Sequence, residues 1–127
     1  GSSQKMGDSK KTELQLIPKA ETYIQYMIEL ICKLPRVEKF SIGTEYKSSM
    51  YKMLESIMII SKISDDKKID CINQIDAGLN TQRIFLRIMY KNKWIDEKKF
   101  KIASDLIYEL GKIIGGLLKY YGKNIKK

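Results

Sequence analysis

The chain has 127 residues, of which 43% are hydrophobic and 31% are charged, and its formal net charge at pH 7 is +9. This length suits one domain with a single core, and two prolines and eight glycines leave little room for a turn-rich β-architecture. The positive charge attracts polyanions, namely nucleic acid, an anionic membrane surface or an acidic protein, although a lysine-rich surface without a dedicated partner is the alternative.

The cysteine and histidine contents limit the possible chemistry. Cys32 and Cys71 are too few and too far apart for a disulfide framework or a C-x-x-C site, and they indicate free thiols in a reducing cytoplasm. Histidine is absent from the sequence, which removes the commonest metal ligand and the commonest general base at neutral pH. The sequence has no run of 18 apolar residues, so we predict no membrane-spanning segment and no membrane partner.

The N-terminal residues lack the features of a folded segment. Gly1-Ser2-Ser3 resembles an expression scar, and no apolar signal-peptide core follows it. We therefore expect residues 1–12 to be a tag-like or disordered N-terminus. The rest of the sequence predicts one four-helix domain over residues 13–123 and a basic tail over residues 124–127.

The first two predicted helices share a heptad pattern. The first runs from about Pro18 to Leu34, since proline suits a first turn and Leu34-Pro35-Arg36 interrupts the helix. The second covers residues 39–61. Apolar residues seven positions apart form a seam that packs against neighbouring helices. The seam residues are Ile17, Ile24 and Ile31 with Ala20, Met27 and Leu34 in the first helix, and Gly43, Met50 and Ile57 with Tyr46, Met53 and Ile60 in the second.

The third helix is predicted over residues 66–91, after an N-cap in the turn Ser64-Asp65-Asp66. Ile84, Phe85 and Ile88 widen its apolar surface beyond a seam, so this helix is expected to contact more than one neighbour, which points to oligomerisation. Its seam residues are Ile72, Leu79 and Leu86 with Ile75, Gln82 and Met89.

The fourth helix is predicted from Asp96, as N-cap, to about Tyr121, with Gly122 as C-cap. Gly111 and Gly115 lie four residues apart on one face. Glycine costs about 1 kcal/mol inside a helix, so we expect another backbone to approach this face; a fraying helix end is the alternative. The predicted seam residues are Ala103, Leu110 and Leu117 with Leu106, Ile113 and Tyr120.

Four heptad-patterned helices with short connections predict an all-α fold. The expected architecture is an antiparallel up-down-up-down four-helix bundle with left-handed crossings of roughly 20°.

Cations gather late in the third helix. Arg83, Arg87 and Lys91 recur every four residues and so align on one side of the helix, with Lys93 just beyond it. Two arginines and a lysine on one line suit phosphate contact, although a gradient from early acids to late cations also complements the helix dipole. Aromatic residues that are candidates either for stacking on unpaired bases or for packing in a core or interface are Tyr90, Trp94, Tyr120 and Tyr121.

The sequence offers no catalytic constellation. Four-helix bundles can hold two metal ions on carboxylates and histidines, but here the carboxylates flank the seams and histidine is absent. No glycine-rich phosphate loop or nucleophile elbow is found. We interpret the chain as a non-enzyme without a metal site or a cofactor.

Three segments resemble a known family. Asp76-Ala77-Gly78-Leu79, followed by Arg83, Leu86 and Arg87, resembles the third helix of the accessory variability determinant (Avd) proteins of diversity-generating retroelements. The segment 109–115, with its two glycines, resembles the fourth helix of that family, and Leu34-Pro35-Arg36 fits the end of its first helix. The wider superfamily includes four-helix proteins encoded in intervening sequences of large-subunit ribosomal RNA genes.

The resemblance implies a non-catalytic, basic four-helix bundle that assembles as a barrel-like homopentamer. It implies binding to a reverse transcriptase and to RNA or DNA, in support of the error-prone, adenine-directed copying of template RNA that diversifies a target gene. Arg83 and Arg87 match basic positions of the family's third helix, and Lys112 stands where the family pattern has arginine. The alternatives are a ribosomal intervening-sequence-type protein or a self-associating interaction module without a nucleic-acid role.

Two sets of candidate residues follow from the pattern and the resemblance together. Those expected to bind nucleic acid or a partner are Arg83, Arg87, Lys91, Lys93, Lys112, Lys119 and Arg36. Those expected at helix-packing or oligomer contacts are Gly111, Gly115, Phe85 and Ile88.

Overall fold

A computed structural model describes the backbone of residues 2–125 and the side chains of residues 11–122. Within these residues the secondary structure is entirely helical, which confirms the all-α prediction. The elements are α1 (Ser2–Cys32), α2 (Arg36–Lys39), α3 (Ile42–Ile59), a 3₁₀ turn (Ile60–Lys62), α4 (Asp65–Lys91) and α5 (Glu97–Ile125).

The four long helices form a four-helix bundle. α1 packs against α3 and α5, and α4 packs against the same two helices from the opposite corner. The side chain of Lys19 meets that of Glu109, while Tyr26 reaches the start of α5 at Lys99. Early residues of α1 therefore face late residues of α5, as an antiparallel pair requires. The one-turn helix α2, which the heptad pattern did not predict, fills the connection between α1 and α3.

Both terminal helices are longer than predicted. α1 begins at Ser2 and contains Pro18 in its interior, so it includes residues 2–12, for which the sequence predicted no helix. Buried Glu13 and Leu16 continue the seam before Pro18, and their packing outweighs the one backbone hydrogen bond that the proline removes. The predicted C-cap at Gly122 is wrong, because α5 continues to Ile125. The outer limits of the domain at residues 13 and 123 stay predictions.

The core confirms the predicted seams of α3 and α4 in full, including Gly43 and Gln82. In α1 the predicted rows are confirmed except at Ile17, which is half-buried while its neighbour Leu16 is fully buried. In α5 one of the two rows lies one residue away from its prediction. In these helices each predicted position adjoins a second apolar or aromatic residue, so the heptad spacing alone does not decide which of the two faces the core. In α1 the neighbouring residues Leu16, Tyr23 and Leu30 are buried together with the predicted Ile24 and Ile31. In α5 the buried row is Ile107, Ile114 and Tyr121, whereas the predicted Leu106, Ile113 and Tyr120 are half-buried.

A layer of hydrogen-bonded side chains crosses the middle of this core, and we call it the tyrosine–glutamine layer. Its members are Tyr23, Tyr46, Ser49 and Gln82. The Tyr23 hydroxyl donates to Gln82 Oε1 at 2.8 Å, and the Tyr46 hydroxyl oxygen lies 2.5 Å from that of Tyr23. The Gln82 amide nitrogen donates to Ser49 Oγ at 3.1 Å. Burial raises the pKa of Tyr46 well above its usual range; burial and then the neighbouring Tyr46 likewise raise the pKa of Tyr23.

A second buried polar cluster joins three helices at the end of the bundle that carries the α4 N-terminus. Lys68 Nζ donates to Glu13 Oε2 at 2.8 Å, and the Tyr121 hydroxyl donates to the same oxygen. Burial opposes the charge on Lys68, but the bonds to Glu13 and Tyr121 outweigh it and raise the pKa of the lysine. A buried ion pair of this kind specifies which helix ends meet more than it stabilises the fold.

The turn between α4 and α5 has the predicted cap. The Lys99 backbone N–H donates to Asp96 Oδ1 at 2.8 Å, which satisfies one of the unpaired donors at the start of α5. Ser64 occupies the N-cap position of α4, but its hydroxyl donates to the Asp66 carboxylate and not into the helix backbone.

Among the described helices, none combines the length and the hydropathy needed to cross a bilayer.

The tyrosine–glutamine layer predicts a loss of stability at alkaline pH. Above about pH 10 the unfolded chain releases the protons of Tyr23 and Tyr46 while the folded chain retains them. The free energy of unfolding should then fall by up to about 1.4 kcal/mol per pH unit for each tyrosine. Tyr46→Phe should remove one of these contributions, at a cost of about 1 kcal/mol at neutral pH, because Tyr23 keeps its bond to Gln82. Urea unfolding at several pH values between about 8 and 11 measures how steeply the free energy of unfolding falls with pH.

The matched control for that experiment is Tyr51→Phe, which removes a hydroxyl from an exposed position of the same helix. If Tyr51→Phe flattened the alkaline slope as much as Tyr46→Phe does, the assignment of the slope to the buried layer would be wrong.

Candidate nucleic-acid interface

A groove between α4 and α5 gathers several of the cationic candidates. Gln82 faces the core, so the next residue, Arg83, lies on the side of α4 that faces α5, and Arg87 follows one turn later. The groove has a volume of about 550 Å³ and is lined by Arg83, Leu86, Arg87, Phe100, Ser104, Asp105, Ile107 and Tyr108. We call it the α4–α5 groove.

Arg83 is held in place within this groove. Its side chain is half-buried, and Nη1 donates to Asn80 Oδ1 at 3.1 Å. Its Nη2 lies over Gly111 of α5, where an added β-carbon would come within 2.9 Å of that nitrogen. The positive charge of Arg83 also acts on Tyr23, where it opposes the larger effect of burial on the tyrosine pKa. Gly111 thus makes room for a guanidinium, whereas the sequence predicted the approach of another backbone.

Tyr108 extends the groove towards a further cation. Its side chain is 62% exposed, and Lys112 Nζ lies 5.6 Å from the centroid of its ring. The structure therefore brings Arg83, Arg87 and Lys112 to one groove and its edge. Sequence reasoning missed Tyr108, although its position one helical turn before Lys112 was a usable signal.

The remaining cationic candidates lie elsewhere. Lys91 and Lys93 line a separate cleft at the turn between α4 and α5. Arg36 is exposed on α2, in the connection between α1 and α3, and Lys119 is exposed late in α5. Neither Arg36 nor Lys119 lines the α4–α5 groove.

The four aromatic candidates differ in what surrounds them. Tyr121 is buried against Glu13, and Tyr120 lies edge-on to it with ring centroids 5.0 Å apart. Both tyrosines belong to the opposite end of the bundle from the α4–α5 turn. Tyr90 stacks on Phe100 with ring centroids 4.4 Å apart. Trp94 is half-buried and lines the turn cleft, so it is the best placed of the four to meet a base.

The oligomer candidates are also divided. Phe85 packs inside the chain against Tyr46, with ring centroids 6.0 Å apart, whereas Ile84 and Ile88 are exposed. A β-carbon added at Gly115 or at its neighbour Gly116 would meet no atom of the described chain within 4 Å. The close backbone approach predicted for this face is therefore not made within one chain. Among the described residues no cluster of acidic or cysteine side chains has the arrangement of a metal site.

Comparisons with known proteins place the chain among helical bundles. A family model described as bAvd-like matches residues 14–121. The fold is similar to the crystal structure of a protein of unknown function from the S23 ribosomal protein family of Bacteroides thetaiotaomicron. That similarity has a TM-score of 0.77 at 14% sequence identity and covers 85% of this chain and 98% of the other, so it concerns the fold alone. No curated protein matches the sequence.

Two glycines, Gly115 of α5 and Gly43 of α3, predict opposite effects when each is replaced by alanine. Gly115→Ala should raise the free energy of unfolding by about 1 kcal/mol, because the new methyl group meets nothing and alanine favours the helix. Gly43→Ala should lower it, because the methyl group would come within 2.9 Å of Ile31 Cγ2. Urea unfolding of both variants tests this. A loss of stability in Gly115→Ala would contradict an open face and would place another copy of the chain on it.

Proposed function

Because this chain belongs to the bAvd-like family, we propose that it is a non-catalytic accessory protein of a diversity-generating retroelement. In this role it serves as a basic scaffold that holds template RNA or its cDNA copy for a reverse transcriptase. The family match covers the segments in which the resemblance to accessory variability determinant proteins was found. The observation that carries the nucleic-acid role is the convergence of Arg83, Arg87 and Lys112 on one groove of a chain with a net charge of +9.

The α4–α5 groove suits contacts to a phosphate backbone. Each guanidinium offers donors in a planar fork that matches two phosphate oxygens, and the Ser104 hydroxyl adds a neutral donor in the same lining. The one carboxylate of the lining, Asp105, is outnumbered by the two arginines. The exposed ring of Tyr108 supplies a surface on which an unpaired base can stack.

The two arginines contribute differently to such binding. Arg83 is already held by its hydrogen bond to Asn80 and by its packing over Gly111, so it loses little side-chain entropy when it binds a phosphate. Arg87 is exposed, and its contribution is electrostatic and weakened by salt. Arg83 therefore sets the position of the phosphate, while Arg87 adds attraction.

We also propose that the chain acts as a homo-oligomer, in the pentameric barrel that the resemblance implies. The exposed isoleucines of α4, Ile84 and Ile88, support this proposal, because they form an apolar surface that a neighbouring copy can cover. Repetition around a ring would join the grooves of single chains into one continuous basic surface. That surface would serve the nucleic acid, and the reverse transcriptase would be the protein partner.

A second candidate function is a self-associating interaction module without a nucleic-acid role. The same exposed isoleucines favour it, and the fold of the S23-family protein is compatible with it. Light scattering with and without RNA distinguishes the two functions. The module would form a defined oligomer whose mass RNA leaves unchanged.

The proposed function predicts a specific salt dependence. Replacing both Arg83 and Arg87 by glutamine should weaken binding to structured RNA. It should also reduce the slope of log K against log salt by about 1.5, since each lost phosphate contact removes about 0.7 to 0.9. Fluorescence anisotropy of a labelled RNA measures both quantities, and circular dichroism checks that helicity is retained.

The matched control removes two exposed lysines from the α3 side of the bundle, Lys52 and Lys62, also by glutamine. It lowers the net charge by the same amount while leaving the α4–α5 groove intact. Equal losses in the control would mean that binding depends on total charge alone, and an absence of salt-sensitive binding in the unmodified protein would refute the proposed function.

A further inference from the structure

The end of α4 has an unfavourable residue at a special backbone position. The Lys93 N–H donates to the Tyr90 carbonyl and the Trp94 N–H to the Met89 carbonyl, both at 3.0 Å. This pair of bonds ends helices in a left-handed residue that is usually glycine. Here that residue is Lys93, with φ of 63°, and in the described backbone it is the one residue other than glycine with positive φ. A β-carbon disfavours this conformation, so local folding alone does not account for a lysine.

The side chain of Lys93 lines a cleft that can hold an anion. The cleft has a volume of about 700 Å³, and Lys91 and Lys99 also line it. Its one carboxylate, Asp96, is engaged by the backbone N–H of Lys99 as the cap of α5. Lysine ammonium groups are compact point charges suited to single phosphate oxygens. Three of them around one cleft attract a ligand with several negative charges, such as a nucleic-acid strand, more strongly than a neutral ligand.

The same cleft contains an aromatic surface. Trp94 is half-buried and lines the cleft, whereas the ring of Tyr90 is already stacked on Phe100. Bases stack on tryptophan whatever their identity, but only an unpaired base has a free face to offer. A duplex keeps its bases stacked on one another, so it can reach the lysines without reaching Trp94.

The cleft also lies in a strongly basic part of the molecule. Because the helices alternate in direction, residues 32–41 and residues 87–101 belong to the same end of the bundle, and the hydroxyl of Tyr26, late in α1, donates to the Lys99 carbonyl near this end. These two segments contain nine of the 24 lysines and arginines but three of the 15 acidic residues. A strand that reaches this end therefore meets a net charge of +6 from these two segments.

We infer that the cleft at the α4–α5 turn binds an unpaired stretch of nucleic acid, with phosphates on Lys91, Lys93 and Lys99 and one base on Trp94. This inference rests on the proposed function and narrows it, because it assigns unpaired strand to the turn cleft and backbone contacts of any strand to the α4–α5 groove. On this inference, a lysine occupies the left-handed position at residue 93 because its positive charge contacts a phosphate in the cleft.

Trp94 provides the readout, since it is the one tryptophan of the sequence. A single-stranded oligonucleotide should quench its fluorescence in the full chain, and a duplex of the same length should bind without quenching it.

Two variants test the residues of the cleft. Lys93→Gly should weaken single-strand binding and lower the slope of log K against log salt by about 0.7. It should also raise the melting temperature by a few degrees, because glycine favours the left-handed position. Loss of stacking in Trp94→Leu should weaken single-strand binding roughly 5- to 150-fold.

The matched control is Lys98→Gln, which removes an equal charge from an exposed position outside the cleft lining. It should leave the quenching unchanged.

Fluorescence anisotropy of a labelled strand measures binding independently of the quenching, so it distinguishes failure of the cleft assignment from failure of the proposed function. Binding without quenching, with Lys93→Gly equal to Lys98→Gln, would overturn the cleft assignment and leave the proposed function standing. Quenching by a duplex as strong as that by a single strand would overturn the specificity for unpaired bases. An absence of binding to either form would overturn the proposed function itself.

Discussion

The tyrosine–glutamine layer is the constraint on which the arrangement of this bundle depends. Hydrophobic seams alone permit helices to rotate by one position, but a buried amide and two buried hydroxyls must all find partners. Gln82 satisfies both ends of its amide with Tyr23 and Ser49, which belong to two other helices. A rotation or a one-residue slip of α4 would leave these groups unpaired in the core, at a cost of about 1–3 kcal/mol for each.

The position of the cations follows from this layer. With Gln82 directed inwards, Arg83 lies beside α5, and the absence of a side chain at Gly111 leaves space for its guanidinium. Arg87 follows on the same side, and Tyr108 stands across the groove. Because two packed helices hold these groups, the surface that we propose binds phosphate is formed before any ligand arrives, which reduces the entropy that binding must overcome.

The sequence predicted most of the core of α1, α3 and α4. In α4, Gln82 stands between Thr81 and Arg83, so no apolar neighbour competes for its seam position, and every predicted row of α3 and α4 was confirmed. In α5, Ile113 and Ile114 compete for one position, and only packing against α1 and α4 decides between them.

Features that depend on three-dimensional geometry could not be predicted. The contact between Arg83 and Gly111 requires the rotational setting of two helices, and the sequence pattern does not contain it. The left-handed conformation of Lys93 was hidden because such positions are recognised by glycine. By contrast, the resemblance in α4 and α5 was enough to identify the family, since the spacing of Gly78, Arg83 and Arg87 is carried by sequence alone.

Photo-crosslinking of the full chain to RNA, followed by mass spectrometry of the crosslinked peptides, tests most directly whether the α4–α5 side of the bundle binds nucleic acid. The structure predicts crosslinks to Tyr108 and Trp94 and to peptides from the second half of α4 and the first half of α5. Crosslinks concentrated on the exposed faces of α1 and α3, with the α4–α5 side unlabelled, would contradict this account.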